Sequence, residues 1–124
     1  MRSAHMLAGV TIAVALAGTF ATAMAQPRTC LHGSDENNAQ HERRMAAINF
    51  TRLINGREAE VFSATRSYQS LTGVMLPAPP KGFSLQLVTD GAGYTLSVKD
   101  TADQCYFALF SDQDGLIYTG RPLQ

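Results

Sequence analysis

The sequence predicts an α+β fold: one long N-terminal helix packed on a four-stranded antiparallel β-meander. A change of period carries this reading. Residues 39–71 contain no proline and place apolar side chains three and four apart, the helix period. From Phe83 onward the period falls to two, in short runs separated by Gly- and Asp-rich turns. Between them, Leu76-Pro77-Ala78-Pro79-Pro80-Lys81-Gly82 is a run that neither a helix nor a central strand accepts.

The helical stripe is Ala46, Phe50, Leu53, Ile54, Val61, Ala64, Tyr68 and Leu71, with Arg43, Arg44, Arg52, Glu60 and Arg66 opposite. Ser34 and Asp35 suit an N-cap, and Asp35-Glu36 place negative charge where the helix dipole favours it. Gly73 suits a helix stop. Asn55-Gly56 is a turn dipeptide, and a glycine costs about 1 kcal/mol in a helix interior. The stripe keeps phase across it, so one continuous helix is expected, with a helix–turn–helix as the alternative. Spanning residues 39–71, it would be about 50 Å long at 1.5 Å per residue. That exceeds the core of so small a domain, so the polar start, Asp35 to Arg44, is expected to project or fray.

Phe83, Leu85 and Leu87 alternate with Ser84 and Gln86, and Asp90-Gly91-Ala92-Gly93 supplies a turn. Tyr94, Leu96 and Val98 form the second strand. Asp100 to Gln104 read as a polar loop. Cys105, Phe107 and Leu109 share one face of a third strand, with Tyr106, Ala108 and Phe110 on the other. Asp112-Gln113-Asp114-Gly115 turns the chain into a short fourth strand, Leu116 to Thr119. The helix is expected to cover Phe83, Leu85, Leu87, Tyr94, Leu96, Val98, Phe107 and Leu109. The proline-rich run reads as a stiff spacer, with a polyproline ligand as the alternative.

Arg2, the apolar stretch Met6 to Phe20 and Ala23-Met24-Ala25 match an export signal cut between Ala25 and Gln26. The expected organisation is a signal peptide over 1–25, a leader over 26–34 and an α+β domain over 35–124. The alternative is an uncleaved membrane anchor. The remaining 99 residues carry nine Lys/Arg and ten Asp/Glu, and no basic stripe gives a nucleic-acid partner electrostatic support. No second apolar run is long enough to cross a membrane. Export places Cys30 and Cys105 in an oxidising compartment, where pairing is expected. That bond would stabilise the fold by roughly 4 kcal/mol at most in the chain-entropy model.

Several stretches resemble a known family. The segment from Ala46-Ala47-Ile48 to Tyr68 is similar to the second half of the helix in short bacterial pilin-like proteins. Gly82-Phe83-Ser84-Leu85 and Gly93-Tyr94-Thr95-Leu96 resemble their paired strand openings. Phe110-Ser111-Asp112-Gln113-Asp114-Gly115-Leu116-Ile117 resembles their last hairpin. The family is that of type IV pilins and type II secretion pseudopilins, and the likeness spans about Ala46 to Leu123. The usual prepilin N-terminal motif is lacking. The resemblance implies a pilin-like head domain acting as an interaction or structural module of an envelope, pilus or secretion system, with a protein partner.

Candidate chemistry is sparse. Asp112 and Asp114 before Gly115 offer half of a calcium loop, and some pseudopilins order a late loop with calcium. A full loop needs further acids that are missing, so a hairpin turn is the expectation and no metal or other cofactor is called for. His32, His41, Asp35, Glu36 and Glu42 do not meet zinc spacing and read as a solvated charged face. No nucleophile elbow or phosphate loop is present, and Glu58, Glu60, Asp90, Asp100 and Asp103 are expected on solvent faces. The expected function is a non-catalytic exported protein. A small secreted enzyme or inhibitor on the same scaffold, or a membrane-tethered stalk, are the alternatives.

Overall fold

Asn37 opens the helix. Its side chain accepts the Gln40 N–H at 2.9 Å while the Gln40 side chain accepts the Asn37 N–H at 2.9 Å, a reciprocal capping box. The helix α1 then runs Asn38–Thr65, 28 residues, through Asn55-Gly56 without a break. The structure, a computed structural model, describes residues 36–102 and 107–120. The signal sequence with Ala25 and Gln26, the leader, and Cys30 and Cys105 lie outside the described residues.

The helix ends six residues before the expected Leu71. Arg66 takes the left-handed conformation (φ 62°) and its N–H caps the Phe62 carbonyl at 2.8 Å. Gly73 is not the stop. The reason is tertiary: the chain turns early to wedge Tyr68 between Phe62 and Tyr94, with ring centroids 4.4 and 5.0 Å away.

Four strands follow: β1 (Phe83–Thr89), β2 (Tyr94–Asp100), β3 (Ala108–Asp112) and β4 (Ile117–Gly120). They form one antiparallel sheet in the order β1-β2-β3-β4, a meander. Its register stacks Leu85, Val98, Leu109 and Thr119 in one row and Leu87, Leu96, Ser111 and Ile117 in the next. These rows face α1, which packs against β2 and β3. The core is Ala47, Phe50 and Ile54 from the helix with Phe83, Leu87, Tyr94, Leu96, Val98, Phe107 and Leu109. Tyr68, Leu71, Leu76 and Leu85 pack against it, and Val74 is buried. A fully buried side chain such as Ile54 contributes roughly 2–3 kcal/mol of transfer free energy. The helix-on-meander arrangement thus follows from the two periods.

Two corrections concern charge. The start of α1 is exposed at Asn38, Ala39, His41 and Glu42, but its arginines are paired. Arg44 donates to both oxygens of Glu36, and His41 meets the same carboxylate at 2.9 Å. Arg43 reaches the sheet: it pairs with Asp100, donates to the Gly82 carbonyl at 3.1 Å and lies 4.8 Å from the Phe83 ring centroid. Glu58 and Asp100, expected on solvent faces, are both buried. The helix stripe that packs is Ala47, Phe50, Thr51, Ile54 and Glu58, whereas Ala46, Leu53 and Ala64 are exposed. Among the described residues, no helix is long and apolar enough to cross a membrane.

Candidate functional site

The strand period also determines what the sheet shows to solvent. On the face away from α1, register places Gln86, Ser97, Phe110 and Tyr118 in one row and Val88, Thr95 and Asp112 in the next. Most of this face is polar, as an uncovered antiparallel face should be. Its β3–β4 end is not. Phe110 is 46% exposed, Tyr118 53% and the neighbouring Leu116 57%. Phe110 and Tyr118 are directly opposed across the ladder. The Phe110 ring also leans over Gly120, where an added Cβ would meet its Cε2 at 2.4 Å. Glycine there lets the aromatic lie flat on the last strand.

An open depression of about 350 Å³ lies between the β1–β2 hairpin tip and the β3–β4 turn. Val88, Thr89, Asp90, Tyr94, Thr95 and Gln113 line it. Its one carboxylate is already engaged. Asp90 Oδ1 accepts the N–H groups of Gly93 and Ala92 at 2.9 Å each, and these bonds lower its pKa. The Thr89 hydroxyl donates to the Gly93 carbonyl and accepts the Gly91 N–H. These groups hold the turn. They leave neither a base near neutral pKa nor an activated nucleophile at the depression.

Asp112 and Asp114 occupy the β3–β4 turn. Asp112 Oδ1 accepts the Asp114 N–H at 3.0 Å, its carbonyl accepts the Gly115 N–H at 2.9 Å, and Gly115 has φ +74°. The Asp112 carboxylate thus caps the turn. Among the described residues, no group of three or more His, Cys, Asp or Glu side chains is placed to hold a metal. Of the expected histidine–acid cluster, His32 and Asp35 lie outside the described residues. Within it, Glu36 is held by Arg44 and by His41, which bring its pKa down to about 2.

Beneath the outer face runs a polar track that the sequence reading missed. The Tyr94 hydroxyl donates to Asn55 Oδ1 at 2.9 Å. Asn55 Nδ2 donates to Ser111 Oγ at 2.7 Å, and Ser111 donates to the Leu116 carbonyl at 2.7 Å. The track ties α1 to β2, β3 and the last turn. Burial, and then the nearby Glu58 charge, push the Tyr94 pKa up to about 12. Asn55, marked by sequence as a turn former, is instead a helix residue that bonds to two strands of the sheet.

No protein-family model, curated protein or solved structure matches this chain.

Proposed function

We propose that this chain is an exported, non-catalytic interaction module of pilin-like build whose partner is a protein of the cell envelope. The observation that carries the proposal is the uncovered sheet face. Its aromatic pair, Phe110 and Tyr118, stands with Leu116 beside the edge strand β4, while the opposite face is closed by α1. Exposed aromatics on a rigid sheet bind protein surfaces at low conformational cost. An edge strand adds main-chain groups that can pair with an incoming segment. The export signal over 1–25 supports the compartment, and the pilin-like text over Ala46 to Leu123 supports the class of assembly.

The test has two parts. N-terminal sequencing of the isolated protein is expected to read Gln26-Pro27-Arg28; a chain beginning at Met1 in the membrane fraction would replace export by tethering. A photocrosslinker at Tyr118 in the native host is expected to capture an envelope protein. One at exposed Glu60 on α1 is expected to capture none. Equal capture from both positions, or none from Tyr118, would reject the sheet face as the interface.

A further inference from the structure

Glu58 is a buried acid in the helix–sheet interface that apolar packing does not explain. It is fully buried on the stripe of α1 that faces the core. Its Oε2 accepts one bond, from the Gln69 N–H at 3.0 Å. Its Oε1 is buried without a hydrogen-bond partner. No cation forms an ion pair with it among the described residues: Arg57, its chain neighbour, pairs with Glu60 in solvent. An ionised carboxylate offers about four acceptor positions, and this one fills a single position. A neutral acid suits such a site far better than a carboxylate does.

What the Glu58 carboxyl holds is specific. The chain leaving α1 turns at Arg66 in a left-handed conformation that few non-glycine residues adopt. Three contacts then hold it against the body: the Tyr68 N–H to the Gly91 carbonyl at 2.9 Å, the Tyr68 ring between Phe62 and Tyr94, and the Gln69 N–H to Glu58. Only the last is a hydrogen bond to a titratable group, whose pKa burial raises.

We infer that Glu58 is a proton-dependent clasp: as a neutral acid it holds the chain leaving α1 against the sheet, and on ionisation it lets that junction open. Opening relieves a buried carboxylate by admitting water to Oε1, and it gives up the Tyr68 and Gln69 N–H bonds and the two ring contacts of Tyr68. The titratable groups near it offer no counter-charge. Tyr94 faces it from β2, Tyr68 flanks Gln69 on the connector, and Asp112 of β3 adds negative charge near Tyr94. None of these is a cation. Burial accordingly raises the Glu58 pKa above its ordinary value, outweighing the Gln69 bond that lowers it. Tyr94 is not the sensor, since its own proton is held to about 12. His41 is not, since it sits near the start of α1 on Glu36. With a folded-state pKa above the unfolded one, the contribution of Glu58 is fully present below about pH 4.5 and is lost as pH rises through the folded value.

The experiment is amide hydrogen exchange on the full chain across about pH 5 to 9, corrected for intrinsic rates, with the carboxyl carbon of Glu58 followed by NMR. In the native protein, the Tyr68 and Gln69 amides are expected to lose protection as pH rises, relative to Leu96 and Val98 in the central strand β2. The loss should track the Glu58 titration. In E58Q, protection at Tyr68 and Gln69 is expected to stay flat. Flat protection in the native chain, or the same loss in E58Q, would overturn the clasp. Should E58Q fail to fold, the native titration decides alone. A raised midpoint tracked by the Gln69 amide supports the clasp, and an ordinary or untracked midpoint overturns it.

Discussion

Replacing Arg43 by Met tests whether the start of α1 is held by charge. Arg43 supplies the cation to Asp100, whose side chain is fully buried, donates to the Gly82 carbonyl and stacks over Phe83. Met keeps the aliphatic stem but removes the charge and the guanidinium over Phe83. Asp100 also accepts the Ala102 N–H at 2.9 Å. Removing one partner of a buried ion pair costs roughly 3–5 kcal/mol. The lost cation–π contact adds roughly 0.5–1 kcal/mol. Arg43 is itself about a quarter exposed, so water reaches its end of the pair and the lower bound applies, about 3 kcal/mol. For a domain of about 5–10 kcal/mol total stability that is a major loss. Asp100→Asn should cost less, roughly 1–2 kcal/mol, because the orphaned Arg43 can turn to solvent. The double variant should be more stable than R43M alone, since no charge is then left buried. Urea unfolding followed by helix circular dichroism reads all three. An R43M loss under about 1 kcal/mol, or strictly additive costs, would refute the assignment of Arg43 as the anchor.

Other expectations follow from the same contacts. Tyr94→Phe removes the hydroxyl that joins Asn55 and should lower stability by about 1–2 kcal/mol in urea unfolding with little change of slope. Gly91→Ala meets both a positive φ of +87° and the Ser67 hydroxyl 2.8 Å from its Cβ, so a loss of about 1–2 kcal/mol in thermal unfolding is expected. Glu36 is held ionised by Arg44, so its contribution is present above about pH 4.5 and lost as pH falls through about 2. A carboxyl titration by NMR checks it, and R44A should return the midpoint toward the ordinary value.

The meander and the existence of the helix were legible because each buries one face at a fixed period, and that period survives in single-residue spacing. The helix ends were less so. Asn37-x-x-Gln40 is a capping box in plain text, but Ser34 and Asp35 are equally good caps by residue type, and only the geometry separates them. The stop at Arg66 was not local at all, because the Tyr68 wedge that drives it needs Tyr94 from the sheet. The misplaced acids are different. Ala47, Phe50, Ile54 and Glu58 are in phase on the helix, and Tyr94, Leu96, Val98 and Asp100 are in phase on β2. Period alone therefore put both carboxylates inside. Residue type argued the other way, and at these two positions the period won. The pairing of Arg43 with Asp100 across 57 residues had no local signal.

The two buried acids stand in opposite electrostatic settings. Asp100, near the start of α1, has a cation against it; Glu58, near the helix end, has none and favours the neutral form. Rising pH therefore weakens the second anchor. A helix fixed by two equivalent anchors would lift off or stay put as a unit. This one is expected to remain seated at Arg43 and loosen at the Tyr68 junction. The Asn55–Ser111 bond lies between them and does not titrate, so it sets the limit of the opening. Motion that stops there leaves the Phe110–Tyr118 pair undisturbed, because Ser111 keeps the last turn in register through Leu116. Crosslinking from Tyr118 should accordingly be indifferent to the pH range in which Gln69 loses protection. A parallel loss of both would mean that the clasp and the outer face are coupled through the sheet.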